Sequence, residues 1–510
     1  MQRTMKPRAI ALAVSSLFLL AGSQMAMADS ADDLLKKLKE KGILTEQEYD
    51  EFNATRDTEK VKKQSEIKAS FKDGIVWESG DKQHSLQVSG RVQFDGRAFD
   101  YDDNNKGNVA PAGTAAQANV TTAGANNFAV RRARIAIKGK LYNSYEYEIS
   151  TNLQSVANSV TDDVAFLNIN WWEEAQFRFG QFKMPMNLEK ITSSNNIDFM
   201  ERSFVNQMAP NEELGAMVHG VPMKGWTYAL AVSNGAGQNT TDADVRSDDK
   251  DVIVRVTGNA AEWMDDKNMI LHGGVAFSQG DIAAGSIGAG GTVQTQSGIR
   301  FQTLPILGAP TVAGSGPNRT IDRQRVGLEG IAAYGPFKVQ GEWLRTSYDF
   351  DRTTTTKTSA DQDAWYVEGM WILTGEKYAD FYKNGAFGAL KPKNEFVHPS
   401  VAADTGGWGL WELGVRFSKY DASDFITQGL GTTVAASATT NAFTGGTGYT
   451  EAKEWAVGIK FLPNPNFRIM LNYVRTDFDN PYNAAALGIL VNNKFEDSEQ
   501  ALMMRTQLMF

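Results

Sequence analysis

The chain has no cysteine in 510 residues and only four histidines. The first absence rules out disulfides, so a chain this long must be held by a large continuous core or sheet. The second leaves little material for hydrolysis or metal binding. His84, His219, His272 and His398 form no metal-spaced pair and no nucleophile–base motif, so no catalytic residue, metal or cofactor is expected. After residue 28 no apolar run approaches the roughly 20 residues that a membrane-spanning helix needs, which excludes a helical membrane protein. A net charge of −9 excludes a nucleic-acid partner by bulk attraction.

What is present begins with a leader pattern. Arg3, Lys6 and Arg8 precede an apolar run from Ala9 to Ala21, and Ala26-Met27-Ala28 supplies a small-residue cleavage site before Asp29. Residues 1–28 are therefore read as a signal peptide, whose removal takes the net charge from −9 to −12. Residues 29–70 are rich in Lys, Glu and Asp, with apolar residues at Leu34, Leu35, Leu38, Ile43, Leu44, Tyr49 and Phe52. Gly42 breaks this helical pattern, and Thr45 with Glu48 three residues on makes a capping box for a second helix. The stretch reads equally well as a solvated tail or as a small periplasmic helical or coiled-coil segment.

From about Leu86 the hydrophobic period becomes two and stays so to the last residue. Leu86, Val88, Gly90, Val92 and Phe94 share one face, while Gln87, Ser89, Arg91, Gln93 and Asp95 share the other. The same split recurs in Trp411, Leu413, Val415 and Phe417 against Glu412, Arg416 and Ser418. One face suits lipid and the other water. Sixteen such strands can be placed, from 86–100 to 499–510, among them 323–334, 362–373 and 452–462. An even number allows closure, which a sheet in lipid requires because an open edge would leave backbone donors and acceptors unpaired. The expected fold is thus all-β, a 16-stranded antiparallel transmembrane β-barrel over residues 71–510 behind a short N-terminal helical segment. A barrel of this size leaves an aqueous channel.

Connections alternate between short turns, near Asn143, Lys224-Gly225 and Gly335-Pro336, and long polar loops, near 101–126, 281–322 and 421–450. Two connections break the pattern. Residues 184–211 form a long segment of mixed polarity, and residues 374–407 form a long segment where alternation predicts a short turn. Both are expected to fold inward and narrow the pore. Phe510 ends the last strand on its apolar face, with Leu508, Met504 and Leu502.

The inward faces carry many cations. Arg132, Arg134 and Lys138 share one face of the second strand, and Arg91, Arg178, Arg416 and Arg505 take the polar parity on theirs. Such groups attract anions, although any one of them also serves to pair with a wall carboxylate such as Glu329, Glu342, Glu412 or Glu454.

Several stretches then carry a resemblance. They are Val130-Arg131-Arg132-Ala133, FRFGQFKMPMNLEKITSS from Phe177 to Ser194, Met200-Glu201-Arg202, LTGEKYADFYK from Leu373 to Lys383, Lys391-Pro392 and Trp411-Glu412-Leu413. With these the chain resembles the phosphate- and polyphosphate-selective porins of Gram-negative outer membranes. The resemblance implies a homotrimer in outer-membrane lipid, with inward-folded loops forming a constriction for passive diffusion of small anions, phosphate or related oxyanions. It places the anion-binding constriction on Lys190, Ser193, Ser194 and Arg202, with Asp163 as an acidic member if a bulge turns it inward. It further assigns Arg91, Arg131 and Arg132 to the anion pathway, with Lys383 and Lys391 at the periplasmic side, and Arg134 joins that pathway by its place on the polar face of the second strand. Two departures bear on selectivity. Loop 281–322 offers chiefly Arg300 and Arg319 where a run of arginines is expected, and Asn195 stands where a lysine is expected. A general or other-solute porin of the same fold remains an alternative, as does an outer-membrane anchor or scaffold acting through the N-terminal helices or outer loops.

Overall fold

A computed structural model of the chain describes residues 66–100, 121–122, 126–153, 161–235, 237–238, 250–283, 292–307, 320–352, 356–396, 407–431, 443–482, 489–491, 494–495 and 497–510, with scattered residues between 39 and 58. The proposed signal peptide, residues 1–28, lies outside the described residues. The chain forms two compact units, residues 1–68 with 78–83, and residues 69–77 with 84–510. In the first, the described residues between 46 and 58 have helical backbone, and the Tyr49 N–H donates to the Thr45 carbonyl at 3.0 Å. Lys39 pairs there with Glu46 at 2.9 Å.

The second unit is the barrel. Its strands are β1 (Ser85–Asp100), β2 (Asn127–Leu141), β3 (Tyr145–Asn152), β4 (Thr161–Ile169), β5 (Gln176–Lys183), β6 (Glu212–Gly220), β7 (Trp226–Ser233) and β8 (Asp251–Asn259). They continue as β9 (Met269–Ala283), β10 (Thr320–Tyr334), β11 (Phe337–Asp351), β12 (Lys357–Ile372), β13 (Leu410–Asp421), β14 (Thr447–Asn464), β15 (Phe467–Pro481) and β16 (Ser498–Met509). Each pairs antiparallel with its neighbour in sequence, and β16 returns to β1 from Gln500↔Asp100 to Met509↔Arg91, so the barrel has no open edge. These are the sixteen strands read from the alternating pattern. Three start three or more residues earlier than the pattern indicated, at 320, 357 and 447, because strands continue past the apolar belt into residues such as Lys357-Thr358-Ser359.

Alternation decides which side chains face lipid. Val92, Phe94, Ile135, Ile137, Val457 and Leu502 are exposed, while Gln93, Asp95, Arg416, Arg468 and Arg505 are buried inside the wall. Stacked pairs Trp226–Trp263, Phe337–Trp371 and Trp411–Phe461 sit at the short-turn ends of their strands, forming one aromatic girdle. The β2–β3 turn uses Tyr142 and Asn143, both at positive φ, whose twist matches a tight hairpin. At the closing seam Phe510 exchanges backbone hydrogen bonds with Gly90, and a Cβ on Gly90 would lie 2.6 Å from the Phe510 ring. Only glycine fits that approach.

Three segments fill part of the interior. The β5–β6 connection, residues 184–211, contains helix α1 (Leu188–Ile191) and helix α2 (Phe204–Met208), and we call it the inner loop. Its Met184, Met186, Leu188, Phe199, Met200, Phe204 and Val205 are all buried, and methionine suits such irregular filling. Residues 292–304 enter from the long-loop end, where Phe301 packs against Phe204, Tyr420 and Phe478. Residues 374–396 enter from the short-turn end, with Tyr378 and Phe387 beneath Lys338 and Tyr378 donating to Glu412 at 2.6 Å. Together these segments pack on the inward faces of β9 to β16, through Ile270, Ile331, Met370, Leu462, Val474 and Met503.

Candidate pore site

The space left over lies against β1 to β8. It is a cavity of about 830 Å³, roofed by the inner loop around Ser193 to Asn196 and floored by Asn384 and Ala389 of the 374–396 segment. Six cationic side chains line it, Arg91, Arg134, Lys138, Arg178, Lys183 and Arg255, against three carboxylates, Asp73, Glu148 and Glu212. Among the described residues neither Lys138 nor Arg178 reaches a carboxylate at ion-pair distance. Arg178 instead lies 4.3 Å over the Phe166 ring.

Strand register stacks these cations. On β1 and β2, Arg132 pairs with Gln93, Arg134 with Arg91 and Lys138 with Gln87, so the levels are roughly 7 Å apart for each two residues. The register shifts between Gln93 and Phe94, which skips Arg131. That bulge brings two consecutive arginines to the same side, where alternation would have sent Arg131 outward. Arg131 donates to both oxygens of Glu201 at 2.8 and 3.2 Å, and Arg132 reaches the same carboxylate at 3.4 Å. A second shift lies between Ser150 and Thr151, where Val164 and Asp162 are paired and Asp163 is the extra residue. The Asp163 side chain lies outside the described residues.

The inner loop is held by a wiring that defines what its polar residues do. The Lys190 ammonium, buried, donates to Asn211 at 3.0 Å and Glu212 at 3.2 Å. Arg202 donates to the Glu189 and Thr192 carbonyls, each at 2.8 Å, and Lys183 donates to the Ile191 and Thr192 carbonyls from the strand below. Ser193 and Ser194 line the cavity. Ser193 Oγ accepts from the Asn195 N–H at 3.3 Å, while the Asn195 side chain accepts from Arg91 at 2.6 Å. Thus Ser193, Ser194, Arg91 and Arg134 line one space, while Lys190 and Arg202 lie outside that lining and donate to protein oxygens. Lys383 is exposed beside the cavity-lining Asn384, and Lys391 pairs with Asp73 at 3.3 Å at the short-turn end.

Three carboxylates that the sequence reading gave no role anchor the loop to wall cations. Glu189 accepts from Arg416 at 3.0 Å and from Ser203, Asp198 pairs with Lys338 at 2.6 Å and Lys460 at 3.9 Å, and Glu201 takes Arg131, Arg132 and Arg505. A carboxylate from the wall completes the arrangement: Glu342 of β11 accepts the Glu189 N–H at 2.8 Å at the start of α1, where Asn187 makes no side-chain cap. The signal was present, since acidic residues on a loop entering a cation-lined lumen need partners, but strand periodicity does not reach into a loop.

Residues 87–510 match the family described as phosphate-selective porin O and P. Porin O of Pseudomonas aeruginosa is 25% identical over 468 residues, 88% of this chain and 93% of that protein. Among solved structures, the outer membrane channel DcaP of Acinetobacter baumannii superposes with a TM-score of 0.45 at 9% identity, over 84% of this chain and 97% of the other. The anion-selective porin of Comamonas acidovorans gives 0.44 at 11%, over 84% and 100%. The assignment rests on the sequence match and on the closed barrel: the chain belongs to the phosphate-selective porin O and P family, a porin of the Gram-negative outer membrane and a channel rather than an enzyme.

Proposed function

We propose that this porin passes small oxyanions, phosphate among them, by diffusion through the cavity beneath the inner loop, and that it does so as a homotrimer in outer-membrane lipid. The observation that carries the reading is the excess of cationic over acidic side chains around that cavity, with Ser193 and Ser194 hydroxyls at its roof. Arg91, Arg134, Lys138 and Arg178 supply charge along the wall, and the serines donate hydrogen bonds that replace part of an anion's hydration. In a narrowed pore with low effective dielectric, charges act on a transiting ion more strongly than they do on a wet surface. Lys190 and Arg202 belong to the same machinery at one remove: they fix the loop that carries the serines. The trimer follows from the family resemblance and the signal peptide from the N-terminal pattern.

The test is a planar-bilayer measurement of the purified porin in a potassium chloride gradient, followed by addition of inorganic phosphate. A reversal potential on the chloride side and a phosphate-dependent block of chloride current are expected. Cation preference without phosphate block would sink the reading.

A further inference from the structure

The three anchoring carboxylates of the inner loop are not equivalent. Those of Glu189 and Asp198 meet cations sealed in the packed side, for the side chains of Arg416, Lys338 and Lys460 are only 1–2% exposed. Glu201 has one partner open to solvent, Arg131 at 41% exposed, beside the buried Arg132 and Arg505, with Arg97 nearby at 12%. It sits one level toward the long-loop end from Arg91 and Arg134, where the β2 bulge delivers Arg131 and Arg132 together.

The geometry around Glu201 is that of an oxyanion cradle. Arg131 forms a fork on both oxygens, Arg505 donates at 2.7 Å, Arg132 approaches at 3.4 Å, and Arg97 stands at 4.0 Å. Planar guanidiniums suit carboxylate and phosphate alike. Asp95 occupies the other edge of Arg505, at 2.7 and 2.8 Å, and holds Arg97 at 3.1 Å. Four guanidiniums therefore face two carboxylates, and the cluster keeps a surplus of positive charge even with Glu201 in place.

We propose that Glu201 is a built-in competitor for the transported oxyanion, its carboxylate filling the Arg131–Arg132–Arg505 cradle and setting how strongly a passing anion is held there. The inference rests on the oxyanion reading above. A phosphate entering from the long-loop end presents the same oxygen geometry as the carboxylate and exchanges with it on the exposed Arg131 edge. The competitor prevents the cradle from becoming a trap, since conduction requires binding weak enough to release. Burial opposes the charge on Glu201, but Arg131, Arg132 and Arg505 outweigh it and hold the carboxyl well below the usual range, so the competitor remains ionised.

The experiment uses the full-length porin in planar bilayers, with inorganic phosphate as the probe of chloride current. Glu201→Gln is expected to lower the half-blocking phosphate concentration roughly ten-fold, from loss of one opposing charge at close range. Glu201→Asp keeps the charge and stays near wild type. Asp198→Asn cuts an anchor of the same loop on the packed side, so it is expected to loosen the loop and raise conductance without lowering the half-blocking concentration. Arg131→Gln is the independent arm: it thins the cradle and weakens the block several-fold. The proposal is overturned if Glu201→Gln leaves the block unchanged or weakens it, if Asp198→Asn shifts it as Glu201→Gln does, or if Arg131→Gln has no effect. A wild-type porin with cation preference and no block overturns the oxyanion reading instead.

Discussion

The two sides of the lumen are built from the same alternating strands and end as opposites. Along β9 to β16, most wall cations are consumed by carboxylates: Arg416 by Glu189, Lys338 by Asp198, Lys460 by Glu412 at 2.5 Å, Arg505 by Asp95 and Glu201, while Arg468 donates to the Asn195 carbonyl. Between these pairs lie Met370, Met470, Val474 and Met503, packed against the inner loop. Along β1 to β8, Lys138 and Arg178 face a cavity instead, and only one short stretch of loop roofs it. The difference comes from the inserted segments. All three bring apolar side chains to one side and the inner loop brings carboxylates as well, which matters because a buried cation is costly unless paired. What the segments do not reach keeps its charge available for a solute. Selectivity in this barrel is therefore set as much by which cations the loops neutralise as by how many the wall carries.

Breaking the packed side gives the largest effect. Arg416→Ala leaves Glu189 and Glu368 buried without their guanidinium, and breaking a buried pair from one side costs about 3–5 kcal/mol. The inner loop also loses the bond from Arg416 to the Glu201 carbonyl at 2.8 Å. Lower resistance of the barrel to thermal unfolding and a larger single-channel conductance are expected together. A variant with unchanged conductance would show that this pair does not hold the loop. On the open side the expected change is in ion preference rather than in pore size. Arg178→Gln removes a charge lying on the Phe166 ring and should weaken phosphate block about ten-fold with conductance little altered, since charge-assisted contacts contribute roughly 1.5–3 kcal/mol each. Equal block in the variant and wild type would place the anion path elsewhere.

The sequence carried the barrel because strand alternation is a local pattern that lipid on one side and water on the other impose on every strand. All sixteen strands were legible in this way. The site was legible in its parts and not in its wiring. Lys190 and Arg202 have the chemistry of anion ligands, but sequence spacing gives no sign that Asn211 and Glu212 bind the first and two carbonyls the second. Arg131 and Arg132 contained more than was read from them. Two consecutive arginines within an alternating strand cannot both face the lumen unless the strand bulges, which is what the register shows. The inward loop at 292–304 compensates a departure noted in the sequence. In place of arginines, its Gln296 donates to Glu454 at 2.6 Å and its Thr295 to Glu499 at 3.2 Å, so this segment neutralises nothing and satisfies wall carboxylates by hydrogen bonds.

A smaller effect separates a ligand from a support. Lys190→Met leaves Glu212, a lining residue of the cavity, without its ammonium, so the open side gains negative field and anion preference should fall a few-fold. The double variant Lys190→Met with Glu212→Gln should recover most of the wild-type reversal potential. If Lys190 bound the anion directly, the second substitution would recover little.

The smallest effect expected is that of mild acid, which distinguishes an anchored loop from a titrating one. Burial opposes ionisation of Asp198 and Glu201, but Lys338 and Lys460 on the first, and Arg131, Arg132 and Arg505 on the second, hold both carboxyls below the usual carboxylate range. A group whose folded pKa is depressed contributes stability that is complete above its unfolded value and is lost only as pH falls through the folded value. The unfolded value for a carboxyl is roughly 4. From neutrality down to about pH 5 these two anchors therefore keep their full contribution, and conductance and anion preference should stay flat across that window. Below it their contribution declines as the unfolded carboxyls take up protons, but the anchors themselves stay ionised until pH falls well below the usual carboxylate range, and only there should the loop loosen with the loss of the Lys338 and Arg505 pairs. A step in conductance between pH 7 and 5 would mean that some other carboxyl holds the inner loop, and the contrast between packed and open sides would have to be redrawn around that group.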